Sequence, residues 1–101
     1  MQTDLRGHVA LVCAASKGLG RAAARSLAGE GCRVAVCARH ADELAHTAAV
    51  IAAETGAEVL PIAADVSRRA DVARLVETTV RHFGGLDIIV TNAGGPKSGV
   101  F

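Results

Sequence analysis

Short apolar runs alternate with longer amphipathic stretches along the whole of this 101-residue chain, and that rhythm limits the folds open to it more than any other feature. Val9 to Ala14 reads VALVCA, a continuous apolar run with β-branched residues, as expected of a strand buried on both faces. A glycine-containing turn follows. In the stretch LGRAAARSLAGEG, Leu19, Ala23 and Leu27 then recur at helical spacing, with Arg21 and Arg25 on the other side and Gly29 or Gly31 as the stop. Arg33 to Ala38 predicts a second strand, and Ala41 to Thr55 a second helix with Leu44, Ala48, Ile51 and Ala52 inward and Gly56 as its end. Glu58 to Ala64 predicts a third strand. Ser67 is placed to cap a third helix with the stripe Val72, Leu75, Val76, Val80 and Phe83, closed by Gly84-Gly85. Leu86 to Thr91 predicts the fourth strand.

Strand–helix alternation with short connections implies a parallel sheet covered by helices, the doubly wound α/β class. Pro61 falls inside the third strand, and proline lacks the donor that an interior strand needs. It fits the order 3-2-1-4, in which the third strand is an edge.

Composition bounds the rest. Half of the chain is hydrophobic, which supplies a packed core, but it has two Phe and neither Trp nor Tyr. Small apolar side chains suit closely packed layers of helix and sheet. The net charge of +1 gives no global pull toward nucleic acid or an anionic membrane, and neither partner is expected. The opening Met-Gln-Thr-Asp-Leu-Arg-Gly is polar, unlike a secretory signal, and no apolar run approaches the roughly 18 residues of a membrane span. Cys13, Cys32 and Cys37 form no Cys-x-x-Cys pair, so they read as small buried hydrophobes in a reducing cytoplasm rather than as a disulfide framework or zinc site. The histidines His8, His40, His46 and His82 are scattered, with no partner at triad or metal spacing, and no metal is expected.

The segment Cys13-Ala14-Ala15-Ser16-Lys17-Gly18-Leu19-Gly20-Arg21 joins the first strand to the first helix. A glycine pair also makes ordinary turns. In this position, however, the unpaired N–H groups of a helix start suit a pyrophosphate, and Gly18 and Gly20 let the backbone approach it. The segment resembles the Thr-Gly-x-x-x-Gly-x-Gly turn of the short-chain dehydrogenase/reductase family. Two later motifs resemble the same family in order: Asp65-Val66-Ser67 after the third strand, and Thr91-Asn92-Ala93-Gly94 ending the fourth. Cys13 and Ala14 depart from the family's Thr and first Gly. The Ala-Ser-Lys-Gly-Leu-Gly form, together with Gly94-Gly95-Pro96, resembles a subgroup similar to 3-oxoacyl-carrier-protein reductases.

The resemblance implies an incomplete Rossmann-type α/β sheet, with residues 1–101 as the dinucleotide-binding half of a longer domain. It implies a cofactor site of Ala14, Ser16, Lys17, Gly18, Leu19, Gly20, Asp65, Val66, Asn92, Ala93 and Gly94. Within it, Asp65 meets the adenine amino group and Asn92 braces the central strands. Arg39 stands at the end of the second strand, where NAD-preferring sites place Asp or Glu to hold the ribose hydroxyls. A guanidinium there can grip the 2′-phosphate of NADPH, and Lys17 resembles the second basic residue of NADP-preferring members, so NADP(H) is expected over NAD(H). The competing reading leaves Arg39 and Lys17 as solvated surface charges.

The family's catalytic Ser, Tyr-x-x-x-Lys and helix-borne Asn lie beyond the fourth strand, and this chain contains no tyrosine. The expectation is therefore an NADP(H)-dependent oxidoreductase of carbonyl or alcohol substrates, taking a small-molecule substrate and forming a homodimer or homotetramer at full length. This chain would carry its cofactor-binding part without catalytic residues. The alternative is a non-catalytic NADP(H)-binding sensor or truncated remnant. A Rossmann-like methyltransferase is disfavoured by Arg39, and a phosphate-loop NTPase by the lack of Gly-Lys-Ser/Thr.

Overall fold

A computed structural model describes residues 5–13 and 18–91. Its elements run β1 (Val9–Cys13), α1 (Gly18–Gly29), β2 (Arg33–Ala38), α2 (Ala41–Thr55), β3 (Val59–Ala63), α3 (Arg69–Phe83) and β4 (Ile88–Val90). The strands form one parallel sheet in the order β3-β2-β1-β4. The expected alternation and order both hold. Pro61 lies on edge strand β3, in register with Val36 and exposed, where a missing donor leaves no interior gap in the ladder.

Side chains alternate through the sheet and divide the core in two. Ala10, Val12, Val34 and Val36 face α1 and α2, meeting Ala24, Ala28, Leu44, Ala48 and Ile51. Val9, Leu11, Cys13, Ala35, Cys37 and Ile62 face the other way, toward Leu75 and Phe83 of α3. Every residue of β1 is buried, as its unbroken apolar run requires.

Several expectations shift in detail. The buried row of α1 is Gly20, Ala24 and Ala28, one position on from Leu19, Ala23 and Leu27, and Leu19 is 76% exposed. Small residues let α1 lie close to the sheet, so the narrow row faces inward and the larger leucines sit at its margin. Gly31, not Gly29, ends the turn. With φ +97° it allows Cys32 N–H to donate to Leu27 O at 3.1 Å and Gly31 N–H to Ala28 O at 3.0 Å, a Schellman closure. Gly56 and Gly84 end α2 and α3 as expected.

In α2 Thr47 is buried beside Leu44, Ala48 and Ile51, while Ala52 is half-buried. In α3 the buried face is Leu75, Thr79 and Phe83, and Val72 and Val80 are 38% and 41% exposed. Thr79 is tolerated inside because its hydroxyl donates to Leu75 O at 2.8 Å. Ser67 does not cap α3, which starts after Arg68. β3 and β4 are shorter than expected, since Glu58, Ala64, Leu86, Asp87 and Thr91 fall outside them.

The end of the sheet where the strands begin is stitched by polar contacts. Asp87 Oδ2 accepts from Val9 N–H at 2.8 Å and Asp87 N–H donates to Val9 O at 2.9 Å, fixing β4 against β1. Arg33 donates to Phe83 O and Gly7 O, at 3.2 and 3.0 Å, and lies over the Phe83 ring. Among the described residues, no helix is long and apolar enough to cross a membrane, and no group of His, Cys, Asp and Glu is arranged to hold a metal.

Candidate functional site

Because all four strands are parallel, their C-terminal ends share one rim, and strand order reverses there between β1 and β4. Open α/β sheets bind ligands at such a reversal. Three of the sequence-selected segments reach this rim within the described residues: Gly18-Leu19-Gly20 opening α1, Arg39 following β2, and Asp65-Val66 following β3. Ala14, Ser16, Lys17, Asn92, Ala93 and Gly94 lie outside the described residues.

Gly18 has φ +58°, a left-handed conformation that favours glycine. A Cβ there would meet nothing within 4 Å, so the restriction is conformational rather than steric. Gly20 is buried in the first turn of α1. The start of α1 thus places a left-handed glycine and a buried glycine at the rim, where a helix N-terminus presents its unpaired N–H groups.

Arg39 is exposed immediately beyond Ala38, and among the described residues it makes no ion pair. Asp65 is half-buried and ordered from two sides. Its own N–H donates to Asp71 Oδ2 at 2.8 Å. Its Oδ1 accepts from Ser67 Oγ at 2.7 Å and from Ser67 N–H at 3.0 Å. These Ser67 bonds, assisted by the charges of Arg39 and Arg68, hold the Asp65 carboxyl below the usual carboxylate range. Arg74 spans the same corner, donating to Ala63 O at 3.1 Å.

Ser67 is thus a site-ordering residue that the sequence assigned to a helix cap. Asp-x-Ser is the signal, since an Asp side chain readily accepts from the N–H two residues on. Asp71 was not singled out at all, although an acidic residue in the first turn of α3 is a recognisable feature.

On the α3 face of the same rim lies an apolar cavity of about 230 Å³ between α3 and the β1–β4 pair. Cys13 forms part of its wall.

A family profile described as short chain dehydrogenase matches residues 8–101. A ketoacyl reductase assigned to the granaticin polyketide synthase of Streptomyces violaceoruber is 46% identical over 100 residues, which are 97% of this chain and 38% of that protein. A hydroxynaphthalene reductase-like protein of Metarhizium robertsii is 40% identical over 91 residues, 90% of this chain and 34% of that protein. The crystal structure of L-sorbose reductase from Gluconobacter frateurii, complexed with NADPH and L-sorbose, superposes with a TM-score of 0.87 at 37% identity, covering 92% of this chain and 36% of that one. The chain spans little more than a third of the length of these relatives. The parallel 3-2-1-4 sheet, the glycine turn at its central strand and the profile match over nearly all residues place the chain in the short-chain dehydrogenase family.

Proposed function

We propose that this chain is the NADP(H)-holding part of an oxidoreductase that acts on carbonyl or alcohol groups of small molecules. The observation that carries the reading is Arg39: a guanidinium exposed at the C-terminal end of β2, without an ion-pair partner among the described residues. An acidic side chain there would hold ribose hydroxyls and repel a phosphate, whereas arginine forms charge-assisted bonds with one. Lys17 would add a second positive charge from the glycine turn. Gly18 and Gly20 would admit the pyrophosphate to the start of α1, with Ala14, Ser16 and Leu19 completing that turn. Asp65 and Val66 would flank the adenine, and Asn92, Ala93 and Gly94 would close the site from the end of β4.

The residues fit such a cofactor. Gly18 already adopts the backbone that the turn needs, and Asp65 is oriented by Ser67 with only Oδ1 engaged among the described residues. When bound, the nicotinamide supplies or accepts a hydride. The chain's own residues bind and orient; none is a tyrosine able to exchange a proton with a substrate oxygen. L-Sorbose reductase, crystallised with NADPH, supports the choice of cofactor, and the ketoacyl reductase supports a reductase of the 3-oxoacyl type. The full-length protein would be a cytoplasmic homodimer or homotetramer.

Fluorescence titration with NADPH and NADH tests the reading. NADPH should bind at least tenfold more tightly, since one charged contact contributes about 1.5–3 kcal/mol. Arg39→Asp should reverse the order. Equal affinities in the parent chain would remove the assignment.

A further inference from the structure

Two of the three cysteines are neighbours across the central strand pair. Cys13 and Cys37 are direct register partners on β1 and β2, and both project into the core on the α3 side. Adjacent strands lie about 4.8 Å apart, inside the roughly 4.4–6.8 Å between α-carbons that a disulfide spans. The thiols interact: a side-chain hydrogen bond from Cys37 lowers the pKa of Cys13 to about 7, against the opposing effect of burial. The Cys37 thiol also lies 3.7 Å from Ala64 O, to which it can donate, so both sulfurs are held in place at this end of the strand pair.

Cys32 is the contrasting case. It sits at the opposite end of β2, its thiol 3.6 Å from Leu5 O, and its pKa is raised by burial and by Glu30 and Asp87. Access differs as well. Cys13 forms part of the wall of the apolar cavity, whose other lining includes Leu11, Val66, Leu75, Val76, Ile89 and Thr91. Apart from Cys37, no side chain that titrates near neutrality faces Cys13 across that space among the described residues. The cavity's 230 Å³ exceeds the volume of a peroxide, which is comparable to two waters at about 30 Å³ each.

We propose that Cys13 and Cys37 form an oxidisable dithiol, in which Cys13 attacks a peroxide entering through the α3–β4 cavity and Cys37 resolves the product into a cross-strand disulfide. In the first step the Cys13 thiolate displaces hydroxide from hydrogen peroxide, forming an S–O bond as the O–O bond breaks, and becomes a sulfenic acid. In the second, Cys37 sulfur attacks that sulfur. The S–S bond forms, the S–O bond breaks, and the Cys37 proton leaves with the hydroxyl as water. The dithiol loses two electrons overall and the peroxide gains them. Because Cys13 is the last residue of β1, the link would sit at the C-terminal end of the central strand pair, and its formation stands independently of the cofactor reading.

The test is peroxide treatment of the intact chain, followed by alkylation of remaining thiols and peptide mapping. The expected product has lost two hydrogens, links Cys13 to Cys37, carries alkylated Cys32, and returns to three thiols with dithiothreitol. Oxidation of Cys32 first, Cys13 ending as a sulfinic acid without the link, or three unreacted thiols while free N-acetylcysteine is consumed would each overturn it. The initial rate should rise about twofold between pH 7 and pH 9, where a thiol of ordinary pKa would rise roughly twenty-five-fold; the steeper profile would overturn Cys13 as the attacking group. Cys37→Ala should halt the reaction at a sulfenic acid that dimedone captures. The mapping on the parent chain does not depend on that variant folding.

Discussion

Asp65 shows how much of the candidate site is held by one neighbour. Its carboxylate is stabilised first by the Ser67 hydroxyl and backbone N–H and then by the charges of Arg39 and Arg68. A carboxyl whose folded pKa is lowered contributes stability above its unfolded pKa, and that contribution is lost as pH falls through the folded value. Ser67→Ala removes the hydroxyl bond but leaves the N–H bond and both arginines. The Asp65 midpoint should therefore move up toward the ordinary 3.8 without reaching it, and the acid unfolding edge should move to higher pH. A side-chain carboxyl NMR titration checks this, and an unchanged midpoint would show that the Ser67 hydroxyl contributes nothing. Arg39 was legible from its position alone, because strand ends and charges are written directly in the sequence. The Ser67 role was not, since Asp-x-Ser and a helix cap are written with the same residues and only the start of α3 at Arg69 separates them.

At the scale of the element, α1 separates hydrophobicity from burial. Ala24 is wholly buried against the sheet, while Leu19 is 76% exposed. Ala24→Leu keeps helix propensity high, so its effect isolates packing, and overfilling such a contact costs about 1–3 kcal/mol. Leu19→Gln should change stability by less than about 0.5 kcal/mol. Thermal unfolding distinguishes them: the first variant should melt lower by about 4–8 °C for each kcal/mol, and the second close to the parent. Equal melting temperatures would place the sheet-facing row elsewhere. The same contrast explains what could be read in advance. Strand order and helix number follow from period and from Pro61, which are local signals. The rotation of α1 by one position depends on how closely it approaches the sheet, and no single residue encodes that distance. Likewise Val72 and Val80 were read as core from their spacing on α3, but their burial depends on how the helix is rotated against the sheet, and they lie at its partly exposed margin.

At the scale of the whole molecule, the two edges of the sheet are unequal. β3 ends the sheet with Pro61, which blunts pairing by withholding a donor. β4 ends it on the other side with three apolar residues, and Ile89 is 54% exposed. Val72 adds a second partly exposed apolar side chain beside the same cavity. Among the described residues β4 pairs with β1 alone, so its outer backbone groups are available to a further strand. Short length limits the hazard, but the combination of an unpaired ladder and apolar side chains favours edge association. The 101-residue chain should therefore self-associate with rising concentration in sedimentation velocity. Ile89→Lys should shift it toward monomer, because a charge on an edge strand opposes the approach of a second apolar edge. Its melting temperature at high dilution should stay near the parent's, since Ile89 is already more than half exposed. A parent chain that sediments as a monomer at every concentration would overturn the edge-association argument, because the exposed Ile89 and the outer side of β4 would then draw no partner strand.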